Sequence, residues 1–451
     1  MTSRNLQYHF KSYLFGLILL FIMSSCGKSD SYKKLLAEKY YLVAANEKLT
    51  ETMVHDIFSP PVASRIYAYP SIAAYEVAVL AAPDEFYSLM GQLNESSALS
   101  INAADYEQAN FQLASLAAYY KVAIQLIFTE QFLIEDREAL FEEIKNAGMP
   151  EEEFQASLAL GEAVADEILA YASEDNYHQS RSFGKYTVKN DLGSWKPTPP
   201  AYIESIEPHW NKIRPFFLDS ASQFAPVAPP PFDTIPESTF FQDAMAVMDA
   251  GNNMEGEQEE IAFFWDCNPY KMNVKGHVMF AEKKITPGGH WMGIAGIAVK
   301  NKGMEWKATA ETLATTSIYL FDGFISCWDE KYRSALIRPE TYINLYMDEN
   351  WLPLLQTPPF PEYTSGHSVV STAAAEALTK LLGEPFHFID STEVKYGLGV
   401  REFDSFRIAS TEAAISRFFG GIHYLPAIDN GVEQGKEIAQ MINQKIKTRK
   451  E

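Results

Sequence analysis

Three short segments in the last third of the chain carry residues that together could bind an oxyanion and move a proton. The first is Lys331, six intervening residues, then Arg338-Pro339. On a helix seven positions turn through about 700°, so both cations would share one face about 10.5 Å apart along the axis. Pro339 is expected to end that helix. Long cationic side chains can converge on one small anion from that separation. The second is Thr364-Ser365-Gly366-His367, followed by the helical run SVVSTAAAEALTKLL. Gly366 admits a close backbone approach, and the helix behind it offers unpaired N–H groups and a positive dipole end. His367 at that seat can give or take a proton. The third is Ser416-Arg417, five residues, then His423, with Gly420-Gly421 between. The glycines are expected to end the helix and let His423 turn back toward Arg417. Each segment alone also has a plain structural reading: a solvated basic pair, an N-cap beside an incidental histidine, or a core histidine near a surface arginine.

Combined, the segments suit a centre with charge on three equatorial oxygens, which needs fixed donors around it. Guanidinium geometry matches oxyanions better than ammonium. One neutral histidine can act as nucleophile or ligand and a second, opposite, as acid.

The three spacings resemble the three-part signature of the type-2 phosphatidic acid phosphatase and vanadium haloperoxidase superfamily. SRIYAYPSIAAYE (64–76), GSWKPTPP (193–200), PHWNKIRPF (208–216), TPGGHWMGIAG (286–296) and PPFPEYTSGH (358–367) resemble segments of its soluble haloperoxidase-like branch. The similarity extends over roughly residues 50–445. It implies an all-α fold of two four-helix bundles with the site in the C-terminal one. It implies that Lys331, Arg338, Arg417, the Ser365 hydroxyl and the Gly366 N–H bind the oxygens of vanadate, or of phosphate in a phosphatase. His423 would be the apical group, bonded to vanadium or phosphorylated, and His367 the acid–base partner. Two positions depart from the pattern. Thr364 stands where proline is usual. Ala427 stands where an aspartate usually orients the second histidine, and Asp429, two residues on, is expected to replace it, with a backbone carbonyl as the other possibility.

The surrounding elements read as helices. Apolar periodicity marks 64–82 with a Pro70 kink, 103–129, 152–172, 237–250, 257–265, 308–337, 367–382, 405–419 and 430–446, and strand signals are scarce. Ten of the 24 prolines fall in 195–236 and break helical structure there. The expected organisation is a helical bundle over 51–194, a Pro-rich surface connector over 195–236 and a catalytic region over 237–451. His290-Trp291 either line the pocket mouth or pack between bundles, and His209 is read as structural.

The chain has 451 residues, 47% of them hydrophobic, and a formal net charge of −22. That balance excludes non-specific nucleic-acid binding, which needs displaced phosphate counterions. Any anion site must be built locally against the global field. Arg4 and Lys11 precede an eleven-residue apolar run, Tyr13–Met23, too short to span a bilayer but suited to a signal peptide. Ser24-Ser25-Cys26-Gly27 resembles a bacterial lipobox, so residues 1–26 read as a lipoprotein signal and 27–50 as a polar tether. An exported protein with its membrane contact through a lipid on Cys26, in the periplasm or on the outer membrane or cell surface, is expected. Cys267 and Cys327 either pair in that oxidising compartment or stay as buried thiols. Three functions fit the residues. One is a vanadium-dependent haloperoxidase acting on peroxide and halide. The second is an acid phosphatase using a phosphohistidine on a phosphomonoester. The third is a surface lipoprotein that binds an anion without chemistry.

Overall fold

A computed structural model describes residues 31–275 and 277–450. The expected signal segment and Cys26 lie outside the described residues. Among the described residues no helix is long and apolar enough to cross a membrane. The helices are α1 (Ser31–Glu38), α2 (Tyr41–Asp56), α3 (Pro60–Ala81), α4 (Phe111–Leu126), α5 (Glu130–Asn146), α6 (Glu151–Ser173), the short α7 (Tyr177–Ser180), α8 (Thr239–Asn252) and α9 (Gly256–Phe264). They continue with α10 (Pro287–Lys302), α11 (Trp306–Ser334), α12 (Pro339–Tyr346), α13 (Gly366–Leu382), α14 (Phe406–Phe419) and α15 (Leu425–Lys445). Two antiparallel hairpins complete the set: β1 (Met272–Lys275) with β2 (Val278–Ala281), and β3 (Phe388–Asp390) with β4 (Arg401–Phe403).

The fold is all-α, as expected. α4 packs between α3 and α6 in the N-terminal bundle, and α13 packs on α11, α14 and α15 in the C-terminal one. α11 also packs on α3. One hydrophobic cluster accordingly runs from Tyr32 to Ile446, so the two regions share a core.

Residues 31–50 are not a tether. Tyr32, Leu36, Tyr41, Leu42, Ala45 and Leu49 recur at helical spacing and are buried in that core. Lys33, Lys34, Lys39 and Glu47 make the same stretch look polar, but they are exposed on its outer face. The 195–236 segment is irregular, as its prolines dictate, and is pinned rather than laid on the surface. Trp195, Trp210, Phe216, Phe217 and Leu218 are buried. The buried Asp322 carboxylate on α11 accepts hydrogen bonds from the Phe216, Phe217 and Leu218 amides at 2.7, 2.8 and 3.2 Å.

Candidate active site

The three segments converge at the end of the C-terminal bundle. α11 ends at Ser334, where Ala335 turns left-handed with φ of 50°. Lys331 lies in the last turn. Arg338 is not on the same helix: it caps α12, which starts at Pro339. Proline without an N–H opens this helix instead of closing the previous one. The two cations meet through the turn between helices, not along one face.

Lys331 is fully buried, and its Nζ donates to the carbonyls of Pro361, Glu362 and Thr364 at 3.1, 3.0 and 2.5 Å. Arg338 is equally buried. Its Nε donates to Phe360 O at 2.9 Å, and its Nη1 to Ile422 O at 2.9 Å and to His423 Nε2 at 3.1 Å. Its Nη2 is buried without a partner. The Phe360 ring lies under both cations, 5.0 Å from Lys331 Nζ and 5.0 Å from the Arg338 guanidinium carbon.

Ser365 caps α13: its hydroxyl accepts from Ser368 N at 3.4 Å, leaving Gly366 as the first helical residue. A side chain on Gly366 would project to within 3.7 Å of the Trp328 ring and 4.0 Å of Lys331 Cε, so glycine leaves that cradle open. The Tyr363–Thr364 peptide is cis, and Thr364 Oγ1 donates to Gln434 Oε1 at 2.7 Å. His367 Nε2 is a second buried atom without a partner. α14 ends at Phe419, Gly421 adopts φ of 74°, and the chain turns His423 back, as its two glycines suggest. Arg417 is buried. Its Nε donates to Ser416 Oγ at 2.9 Å and its Nη2 to Ala262 O at 3.2 Å.

The residue that orients His423 is not Asp429. α15 already begins at Leu425, so the expected loop is helical there. Ala427, Ile428 and Gly431 face the bundle, and Asp429 on the same turns is exposed. The acceptor is Glu362, wholly buried, whose Oε1 accepts from His423 Nδ1 at 2.7 Å and from Tyr424 N at 3.1 Å. This contact puts the proton on Nδ1 and the lone pair on Nε2, where Arg338 Nη1 meets it. Glu362 lies inside the PPFPEYTSGH stretch. A lone acid among prolines and aromatics beside a Ser-Gly-His turn was the signal available for it.

Electrostatics follow from crowding cations in a buried space. Burial, then the charges of Arg338, Lys331 and Arg417, hold His423 well below the usual histidine range. Burial, then Arg417, does the same to His367. Burial pulls Lys331 down to about 8 and Arg338 to about 10, and lowers Arg417. Burial pushes Glu362 up to about 7 against the pull of Arg338 and Lys331. An anion here would favour the charged form of all three cations and so offset part of the penalty of burial.

Gly366, His367, Arg417 and His423 line one cavity, together with Trp328, Phe360, Asn268 and Tyr270. The cavity is small, about 30 Å³. The unpartnered Arg338 Nη2 donor, the His367 Nε2 atom and the open Gly366 cradle fit a small tetrahedral ion. Asn268 and Tyr270 lie in no motif, so their sequence positions gave no signal, whereas Phe360 lies in the PPFPEYTSGH stretch. His290 is not at the mouth: it is wholly buried and stacks on Trp265 with ring centroids 4.4 Å apart. His209 Nε2 meets Gly184 O at 2.6 Å, in the connector. Cys267 and Cys327 are both free and buried. Cys267 faces His290, while Cys327 meets the Thr364 carbonyl.

Residues 311–450 match the family model of the second helical-bundle domain of vanadium chloroperoxidase. No curated protein matches the chain. Among solved structures, a bacterial vanadium-dependent iodoperoxidase is 48% identical with a TM-score of 0.86, over 91% of this chain and 97% of that one. A holo-type bacterial vanadium-dependent chloroperoxidase shares the fold at 15% identity and a TM-score of 0.66, over 91% and 98% of the two chains. An apo-type bacterial chloroperoxidase does so at 14% identity and 0.64, over 86% and 95%. With identity at this level along nearly the whole of both chains, and the oxyanion-type cavity in the second bundle, the chain belongs to the vanadium-dependent haloperoxidase family.

Proposed function

We propose that this protein is a vanadium-dependent haloperoxidase that oxidises halide, iodide included, with hydrogen peroxide. One observation carries the reading. A buried histidine with its Nε2 lone pair free of a proton lines a cavity together with buried Arg417 and the unpartnered His367 Nε2, while buried Arg338, with its unpartnered Nη2, lies against that histidine and buried Lys331 lies behind Gly366. Family membership and the 48% identical iodoperoxidase support vanadate as the occupant and iodide as a substrate. Vanadate, when bound, supplies a Lewis-acidic centre that activates peroxide toward halide.

The chain's own residues do the rest. Lys331, Arg338, Arg417, the Ser365 hydroxyl and the Gly366 N–H would hold the oxygens of vanadate. His423 Nε2 would be the vanadium ligand, with Glu362 keeping its ring in the required tautomer. His367 is neutral, and its Nε2 can accept a proton and return it. An anion in the cavity offsets the repulsion of Arg417 and Lys331 and moves His367 toward the range where it can do both. The sequence alone supports export with a lipid on Cys26 as the membrane contact.

The test is to purify the protein without vanadium, add orthovanadate, and follow iodide and bromide oxidation by peroxide beside hydrolysis of a chromogenic phosphomonoester. Halide oxidation that appears only with vanadate, and disappears in His423→Ala, is expected. Phosphomonoester turnover inhibited by vanadate, without halide oxidation, would replace this reading with the phosphatase.

A further inference from the structure

Beside the oxyanion cavity lies a second cluster, built from three separate parts of the chain. Cys267 follows α9, His290 sits in the first turn of α10, and Glu393 follows β3. All three are buried. We propose that Cys267, His290 and Glu393 form a binding site for one divalent zinc ion, distinct from the site that holds the oxyanion.

The spacing of the donor atoms carries the argument. Cys267 Sγ lies 3.5 Å from His290 Nδ1 and 3.8 Å from Glu393 Oε1, and Nδ1 lies 3.5 Å from Oε1. A tetrahedral zinc with ordinary bond lengths to sulfur, nitrogen and oxygen sets these edges at about 3.6, 3.5 and 3.3 Å. The triangle is therefore close to one face of such a tetrahedron. The two sulfur edges are also within reach of a thiol hydrogen bond, but the 3.5 Å edge between nitrogen and carboxylate oxygen is longer than an ordinary hydrogen bond.

The outer contacts fit as well. His290 Nε2 meets Asp390 Oδ2 at 2.7 Å, so Nδ1 is the nitrogen turned toward Cys267 and Glu393, and zinc would have to displace any proton held there. That carboxylate is itself fixed by Thr392, whose N and Oγ1 donate to Oδ1 at 3.0 and 2.7 Å. A carboxylate behind the histidine is the usual support of a metal ligand. Charge also balances: a thiolate and a carboxylate would cancel a dication in this buried space. Thiolate with imidazole and carboxylate selects zinc over calcium or magnesium. Two ligands come from the loop after α9 and from α10, so the ion would tie both to the β3 turn. Cys267 lines the oxyanion cavity, which gives an entry path. The fourth coordination position is left for water.

The experiment uses the full protein, stripped with a chelator, re-equilibrated with zinc sulfate, passed through gel filtration and analysed by mass spectrometry for metal per chain. About one zinc per chain is expected in the wild type, in Cys327→Ser and in His423→Ala, and less than about a tenth of that in Cys267→Ser and Glu393→Gln. A cobalt titration of the wild type should give a thiolate-to-cobalt charge-transfer band in the near ultraviolet, and this readout stands even if a variant fails to fold. No retained zinc in the wild type, zinc retained equally in Cys267→Ser, zinc lost in His423→Ala alone, or cobalt bound without the thiolate band would each overturn the proposal.

Discussion

Arg338→Lys separates the geometry of the guanidinium from its charge. In the wild type Nε and Nη1 hold the Phe360 and Ile422 carbonyls, and Nη2 is the buried donor left over for an anion. A lysine keeps the positive charge but ends in one ammonium. It cannot serve two carbonyls on different segments and also reach into the cavity. The expected loss is one charge-assisted hydrogen bond to the bound anion, about 1.5–3 kcal/mol. That corresponds to a roughly 10–150-fold weaker dissociation constant. Calorimetric titration of the vanadium-free protein with orthovanadate measures it directly. Circular dichroism of the variant checks that the turn from Ala335 to Pro339 still folds. A folded Arg338→Lys protein that binds vanadate within about threefold of the wild type would refute the assignment of Nη2 as an anion donor.

Three further outcomes follow from the same geometry. Tungstate, a tetrahedral dianion of constant charge, should bind less tightly as pH rises from about 6 to 9, by at most tenfold per pH unit for each proton involved. The sign is fixed by two groups: Lys331 loses its positive charge above about 8, and Glu362 gains negative charge above about 7, both against the anion. Lys331→Met should flatten the upper part of that profile in the same titration, and an undiminished slope would contradict it. Glu362→Ala should lower halide oxidation about 10–100-fold at saturating vanadate, with partial recovery in Glu362→Gln, which keeps an acceptor for His423 Nδ1. Asp429→Ala should stay near the wild-type rate, and a large loss there would restore Asp429 as the orienting residue. Gly435→Ala should destabilise the protein by about 1–3 kcal/mol in denaturant unfolding, since its Cβ would meet the Val369 carbonyl at 2.5 Å and force α13 from α15. An unchanged midpoint would show that the two helices can separate freely.

Helices whose apolar stripes are long and clean, such as 308–337 and 367–382, could be read from the residues alone and appear as α11 and α13. The cations, the two histidines and the Ser-Gly cap that the structure brings together were also legible, because each is tied to a local device: a helix end, an N-cap or a glycine turn. α2, α5, α10 and α12 were not anticipated. α5 carries a dense acidic face, and α10 and α12 open on Pro-Gly-Gly and Pro, residues that read locally as breaks. Folding in three dimensions was needed to show that Lys331 and Arg338 belong to different helices, that 31–50 packs into the core, and that Glu362 meets His423 from 61 positions away. Periodicity and capping act over a few residues and so are written in the chain. The tautomer of a buried ring depends on whichever carboxylate the packing brings to 2.7 Å from it, and no local rule names that partner.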